Sequence, residues 1–119
     1  MAYKQALLVC LSLRGEIHRD TANARLRLGS VLNDGEEFDD AEEELRKVLS
    51  IREALQSTDD LRTAEVCSLL GTVLIEQNKF EEALSLHVRA LEIQKQLLDK
   101  DDPLIIESIE VIDKLNYLK

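Results

Sequence analysis

The sequence predicts an all-α protein built of antiparallel helix pairs, and three observations carry that expectation. Leu, Ala, Glu, Lys and Arg dominate the 119 residues, while four Gly and one Pro are too few to punctuate a many-stranded sandwich or barrel. An internal repeat runs through the chain, displaced by 42 residues from Thr21 to Thr63. Within each copy, apolar residues recur at spacings of three and four, as on one face of a helix.

The repeat is the strongest of the three. Laying residues 21–60 on 63–102 without a gap makes thirteen of 40 positions identical. They are Thr21/Thr63, Ala22/Ala64, Leu28/Leu70, Gly29/Gly71, Val31/Val73, Leu32/Leu74, Phe38/Phe80, Ala41/Ala83, Leu49/Leu91, Ile51/Ile93, Leu55/Leu97, Asp59/Asp101 and Asp60/Asp102. Small and apolar positions account for most of them, which is what a conserved packing arrangement requires.

Taken in order, residues 1–19 read as the second helix of a partial repeat, because 3–13 align with 45–55 through Ala6/Val48, Leu7/Leu49, Val9/Ile51 and Leu13/Leu55. Residues 20–60 form a repeat with helices over about 21–34 and 37–55. Gly35 between them is expected to be the left-handed residue that ends the first helix. Residues 61–102 form a second repeat, with helices over about 63–77 and 79–98 and Gln77-Asn78 as the break. Residues 103–119 align with the first helix of a repeat. Asp102-Pro103 opens that helix with a capping acid and a proline at the first helical position. The whole is a single domain, 1–119, of about six helices stacked as a right-handed solenoid.

Leu28-Gly29, Leu32, Phe38, Ala41 and Val48, repeated as Leu70-Gly71, Leu74, Phe80, Ala83 and Ala90, stand at the spacing of a known motif. On these residues the chain resembles the tetratricopeptide repeat (TPR). The period and the run from Arg89 to Leu98 are similar to its kinesin-light-chain subtype. The resemblance implies a short right-handed TPR superhelix and a non-catalytic module that binds a peptide or partner protein on the concave face formed by the first helices. It also implies a scaffold or adaptor role, as one stretch of a longer array.

Followed residue by residue, the resemblance places Asn23, Glu65 and Glu107 in one row of that face. Leu26, Ser68 and Glu110 form the next, followed by Ser30, Thr72 and Lys114, and then Asn33, Ile75 and Tyr117. Glu76 extends the row on the second repeat. The subtype often carries paired asparagines just before its Leu-Gly step. Here Leu26-Arg27 and Ser68-Leu69 occupy those places, so the polar grip on a peptide backbone is not carried over.

Chemistry is sparse. No phosphate-binding glycine loop, H-E-x-x-H or Cys-x-x-Cys pattern occurs, so no catalytic residue, cofactor or metal is expected. His18 and His87 read as half-buried or surface histidines, although His87 takes a core-facing place opposite Leu45 of the other copy. Cys10 and Cys67 read as small apolar filler in a reducing compartment.

The acidic run 36–44 fails as a calcium loop, because Ser30, Leu32 and Ala41 would fall at ligand positions when Gly35 is the loop glycine. It reads instead as a solvated helix start, with an acidic docking face as the alternative. The net charge of −9 and the 3% aromatic content argue against nucleic acid and favour a basic or neutral partner. The longest apolar run, Ala6–Leu11, is too short to insert in a membrane, and a cytoplasmic location is expected.

Both terminal helices are apolar on nearly every side, the last through Leu104, Ile105, Ile106, Ile109, Val111, Ile112, Leu115 and Leu118. That pattern carries an alternative expectation, a structural module that self-associates, as a homodimer, through uncapped ends.

Overall fold

The computed structural model describes residues 4–7, 19–55 and 60–118. From residue 19 onward the described residues form five helices: α1 (Arg19–Asp34), α2 (Phe38–Ala54), α3 (Leu61–Glu76), α4 (Phe80–Leu97) and α5 (Pro103–Leu118). Residues 4–7 are also helical, with Leu7 buried. The rest of the helix expected over 1–19 lies outside the described residues. No strand occurs among the described residues. The chain forms two compact units, 1–58 and 59–119. Unit 1 contains the α1–α2 pair. Unit 2 contains the α3–α4 pair and α5, which packs on α4.

The repeat register dictates the helix ends. Asp60 caps α3, its Oδ1 accepting from the Thr63 N–H at 2.9 Å. Asp102, one repeat later, caps α5 by accepting from the Leu104 N–H at 2.9 Å, with Pro103 at the first helical position as the sequence predicts. Each cap satisfies a backbone donor that has no partner inside the helix.

The C-terminal ends correct one expectation. Gly35 is not the left-handed residue; Glu36 is, at φ 61°, and its counterpart Asn78 has φ 63°. The reason is the hydrogen bonding that closes each helix. The Glu36 N–H donates to the Asn33 carbonyl at 3.0 Å and the Glu37 N–H to Leu32 at 2.8 Å. In the other repeat, Asn78 donates to Ile75 at 2.9 Å and Lys79 to Leu74 at 2.8 Å. This paired closure puts the left-handed residue one position past the helix cap, and that position falls after Gly35.

Across each pair a glycine faces one large side chain. A Cβ added at Gly29 would lie 2.7 Å from Leu45 Cδ2, and one at Gly71 would lie 2.6 Å from His87 Nε2. Leu45 and His87 occupy the same slot one repeat apart, and both are buried. The expectation of a half-buried or surface His87 is therefore corrected: only 3% of it is exposed, because the helices close over it where α3 has no side chain. Its Nδ1 and Nε2 have no hydrogen-bond partner, and burial lowers its pKa below the usual 6.5. Cys67 is buried as expected.

Other interior positions differ between the repeats. Arg25 Nη1 on α1 pairs with Glu44 Oε2 on α2 at 2.7 Å, with both side chains largely out of solvent. The same two positions in the second repeat hold Cys67 and Leu86. Between α4 and α5 the Ser108 hydroxyl donates to Gln94 Oε1 at 2.8 Å in a buried setting.

A left-handed backbone costs a non-glycine residue roughly 1–2 kcal/mol, so Glu36→Gly is expected to stabilise the chain by about 0.5–1 kcal/mol net. A urea midpoint that rises in this variant checks it; an unchanged or lower midpoint contradicts the closure described here.

Candidate partner-binding surface

The positions expected to meet a partner lie on the first helix of each pair and on α5. On α3 they recur at one-turn spacing because three and four residues bring a helix back to the same side. Glu65, Thr72 and Glu76 are exposed, and Ser68, Leu69 and Ile75 are half-buried beside them. The Thr72 hydroxyl donates to the Ser68 carbonyl at 2.9 Å, which fixes its rotamer. Arg62 Nη1 lies 3.5 Å from Glu65 Oε1, an exposed pair that softens the first carboxylate of the row. The i,i+3 spacing carried that pair in the sequence, and Arg62 is a charged surface residue absent from the expected set.

On α5, Glu107, Glu110, Lys114 and Tyr117 are all exposed and share a face by their spacing of three, four and three. Tyr117 is 91% exposed, the barest of the large apolar side chains among the described residues. Together α3 and α5 therefore present Glu65, Glu76, Glu107 and Glu110 against Lys114 and the partly engaged Arg62.

In unit 1 the expected positions divide. Arg27 is exposed, and Asn23, Ser30 and Asn33 are half-buried. Leu26 is placed otherwise than expected. Only 3% exposed, it belongs to the buried stripe of α1 with Ala22, Arg25, Gly29 and Leu32. Its counterpart Ser68 is half-buried. A stripe this wide covers more than one row of the helix, which is why repeat spacing alone assigned Leu26 to the surface.

The acidic run separates into roles. Asp39 and Asp40 are exposed in the first turn of α2, where carboxylates suit the positive end of the helix dipole. Glu42 pairs with Arg46 at 2.8 Å and Glu43 with Lys47 at 3.5 Å, while Glu44 turns inward to Arg25. Most of the run is the solvated helix start that the sequence suggests, and Glu44 is the exception.

A second surface lies on α5. Leu104, Ile106 and Ile109 are exposed, whereas Ile105, Ser108 and Leu115 are buried. In the repeat register Ile106 and Ile109 correspond to Ala64 and Cys67, which are buried on α3. Asp113 corresponds to Gly71 and is exposed. No helix among the described residues is long and apolar enough to cross a membrane.

The family model described as Tetratricopeptide repeat matches residues 20–96. Among solved structures, BtubC (BKLC) from P. vanneervenii is similar with a TM-score of 0.85 and 21% identity, over 97% of this chain and 46% of that one. A Podosopora anserina protein described as a kinesin light chain with nearly identical TPR-like repeats is similar with a TM-score of 0.86 and 18% identity. That match covers 95% of this chain and 54% of the other. The chain thus spans about half the length of each, and at these identities the likeness is one of fold. Comparison with curated proteins finds no match.

The different burial of two expected surface residues can be read from stability. Leu26→Ala is expected to cost about 2–4 kcal/mol, as for a buried leucine, and Glu65→Ala to stay within about 0.5 kcal/mol. Thermal or urea melts of equal midpoint for the two variants would contradict the placement of Leu26 in the core.

Proposed function

The chain belongs to the tetratricopeptide-repeat family, and from that premise we propose that it is a non-catalytic interaction module that takes a peptide or partner protein on its first-type helices, with α3 and α5 of unit 2 supplying the surface. The observation that carries this reading is the exposed row on α3 and α5. Glu65, Thr72 and Glu76 leave one helix at one-turn spacing, and Glu107, Glu110, Lys114 and Tyr117 leave the other. Carboxylates outnumber amines there, so the partner chemistry is basic, with Tyr117 and the half-buried Ile75 and Leu69 supplying apolar contact. A net charge of −9 supports the same choice and disfavours nucleic acid. Within a cell such a module serves as a scaffold or adaptor, in the cytoplasm.

A second reading, self-association into a homodimer through terminal helices, draws on one observation. Ile106 and Ile109 are exposed at the positions that α3 buries. Asp113 weighs against it, because its carboxylate stands where the repeat places the glycine that admits another helix. Sedimentation over a concentration series separates the readings: a stable monomer leaves the peptide surface as the function, and a dimer abolished by Ile109→Asp supports the second.

The primary reading is tested with a synthetic Lys/Arg-rich peptide titrated into the full chain at low salt. Glu65→Lys with Glu76→Lys is expected to weaken binding about tenfold, or about 1.4 kcal/mol, with the thermal melt unchanged. Undiminished binding, or binding lost instead on reversing Asp39 and Asp40 of α2, would overturn the assignment.

A further inference from the structure

The slot opposite the repeat glycine needs only a bulky side chain. Leu45 fills it in unit 1, yet unit 2 puts His87 there. The ring lies against the bare Gly71 backbone and is 3% exposed. Neither ring nitrogen has a hydrogen-bond partner, although a neutral imidazole always carries one donor and one acceptor.

Among the described residues of unit 2, no carboxylate is buried beside the ring. On α3, the titratable group of the buried face is the Cys67 thiol, and the carboxylates Glu65 and Glu76 are exposed. On α4, the buried neighbours are Ala83, Ala90, Ile93 and Gln94; Glu81, Glu82 and Glu92 are exposed, and the half-buried Arg89 is itself a cation. On α5, the buried side chains are Ile105, Ser108 and Leu115, with Glu107, Glu110 and Asp113 exposed. The Ser108 hydroxyl is already committed to Gln94. A proton on His87 would therefore create a cation inside the α3–α4 pair with neither a carboxylate nor a hydrogen-bond acceptor in place.

We propose that His87 is a proton-operated latch on the α3–α4 pair: neutral, it fills the slot over Gly71, and protonated, it drives the two helices apart. Unit 1 lacks this latch because Leu45 holds the corresponding slot. The direction follows from linkage. Burial lowers the folded-state pKa below the usual 6.5, so the unfolded chain binds the proton more tightly. The contribution to stability is intact above about pH 6.5 and is lost as pH falls through that value towards the folded pKa. The latch is independent of which partner the surface binds.

Urea unfolding of the full chain from about pH 8 to about pH 5 tests this, comparing the natural chain with His87→Leu, the side chain of unit 1, and with His87→Gln, which keeps polarity but cannot take the proton. The natural chain is expected to lose stability towards acid relative to both variants. A parallel measurement follows the His87 ring carbon by nuclear magnetic resonance in the folded chain. Each unit by which that ring titrates below 6.5 corresponds to a tenfold loss in the folded-to-unfolded ratio at acid pH. Parallel pH profiles for the natural chain and the variants would overturn the proposal, as would a folded ring that titrates at or above 6.5. Should neither variant fold, the ring titration alone decides.

Discussion

Each helix pair depends on one contact, a glycine on the first helix against a large side chain on the second. At Gly29 even a methyl group would sit 2.7 Å from Leu45, and at Gly71 it would sit 2.6 Å from the His87 ring. A leucine or histidine that deep can be enclosed only where the facing helix offers bare backbone, and interiors packed to crystal density leave no slack to absorb an extra carbon. From that closeness the rest follows. Leu28, Leu32, Leu70 and Leu74 are buried around the contact. The first helices turn another side to solvent, and that side carries Glu65, Thr72 and Glu76. The surface proposed to meet a partner is thus the face left over after the packing requirement is satisfied.

The same backbone arrangement accommodates two kinds of interior. Unit 1 combines Leu45 with a largely buried Arg25–Glu44 pair, whereas unit 2 has Cys67 and Leu86 at the ion-pair positions and a histidine in the slot. Removing one member of a largely buried ion pair leaves a charge without compensation, which keeps Arg25 and Glu44 together. Neither ring nitrogen of His87 has a hydrogen-bond partner, and burial lowers its pKa. The two repeats share the glycine contact and differ in the ionisable groups they enclose, a difference that backbone similarity to other repeat proteins does not reveal.

Much of this was legible in the sequence, for physical reasons that differ by feature. Helix existence and order followed from the 42-residue displacement, since identity at Gly29/Gly71 and Ala41/Ala83 reports packing directly. Asp60 and Asp102 announced their helices because a cap acts locally, through the side chain of one residue. Closure at the other end is less local. It is a pair of backbone hydrogen bonds, and glycine attracted the left-handed assignment that Glu36 in fact takes. Leu26 and His87 were misplaced for a common reason: repeat spacing gives the side of a helix but not how far the neighbouring helix wraps around it. The arrangement of exposed charges on α3 and α5 was readable from spacing, but no spacing encodes what binds there.

The dependence of each pair on the glycine contact is tested most directly by a double-mutant cycle at Gly29 and Leu45, read by urea unfolding. Gly29→Ala alone should destabilise the chain by about 1–3 kcal/mol through overpacking, and Leu45→Ala alone by about 2–5 kcal/mol through the cavity it leaves. Because the methyl at position 29 would then occupy space vacated by the leucine, the double variant should recover about 1 kcal/mol or more relative to the sum. Costs that simply add would contradict the account, since they would mean that the two residues do not share the space on which the pair is built.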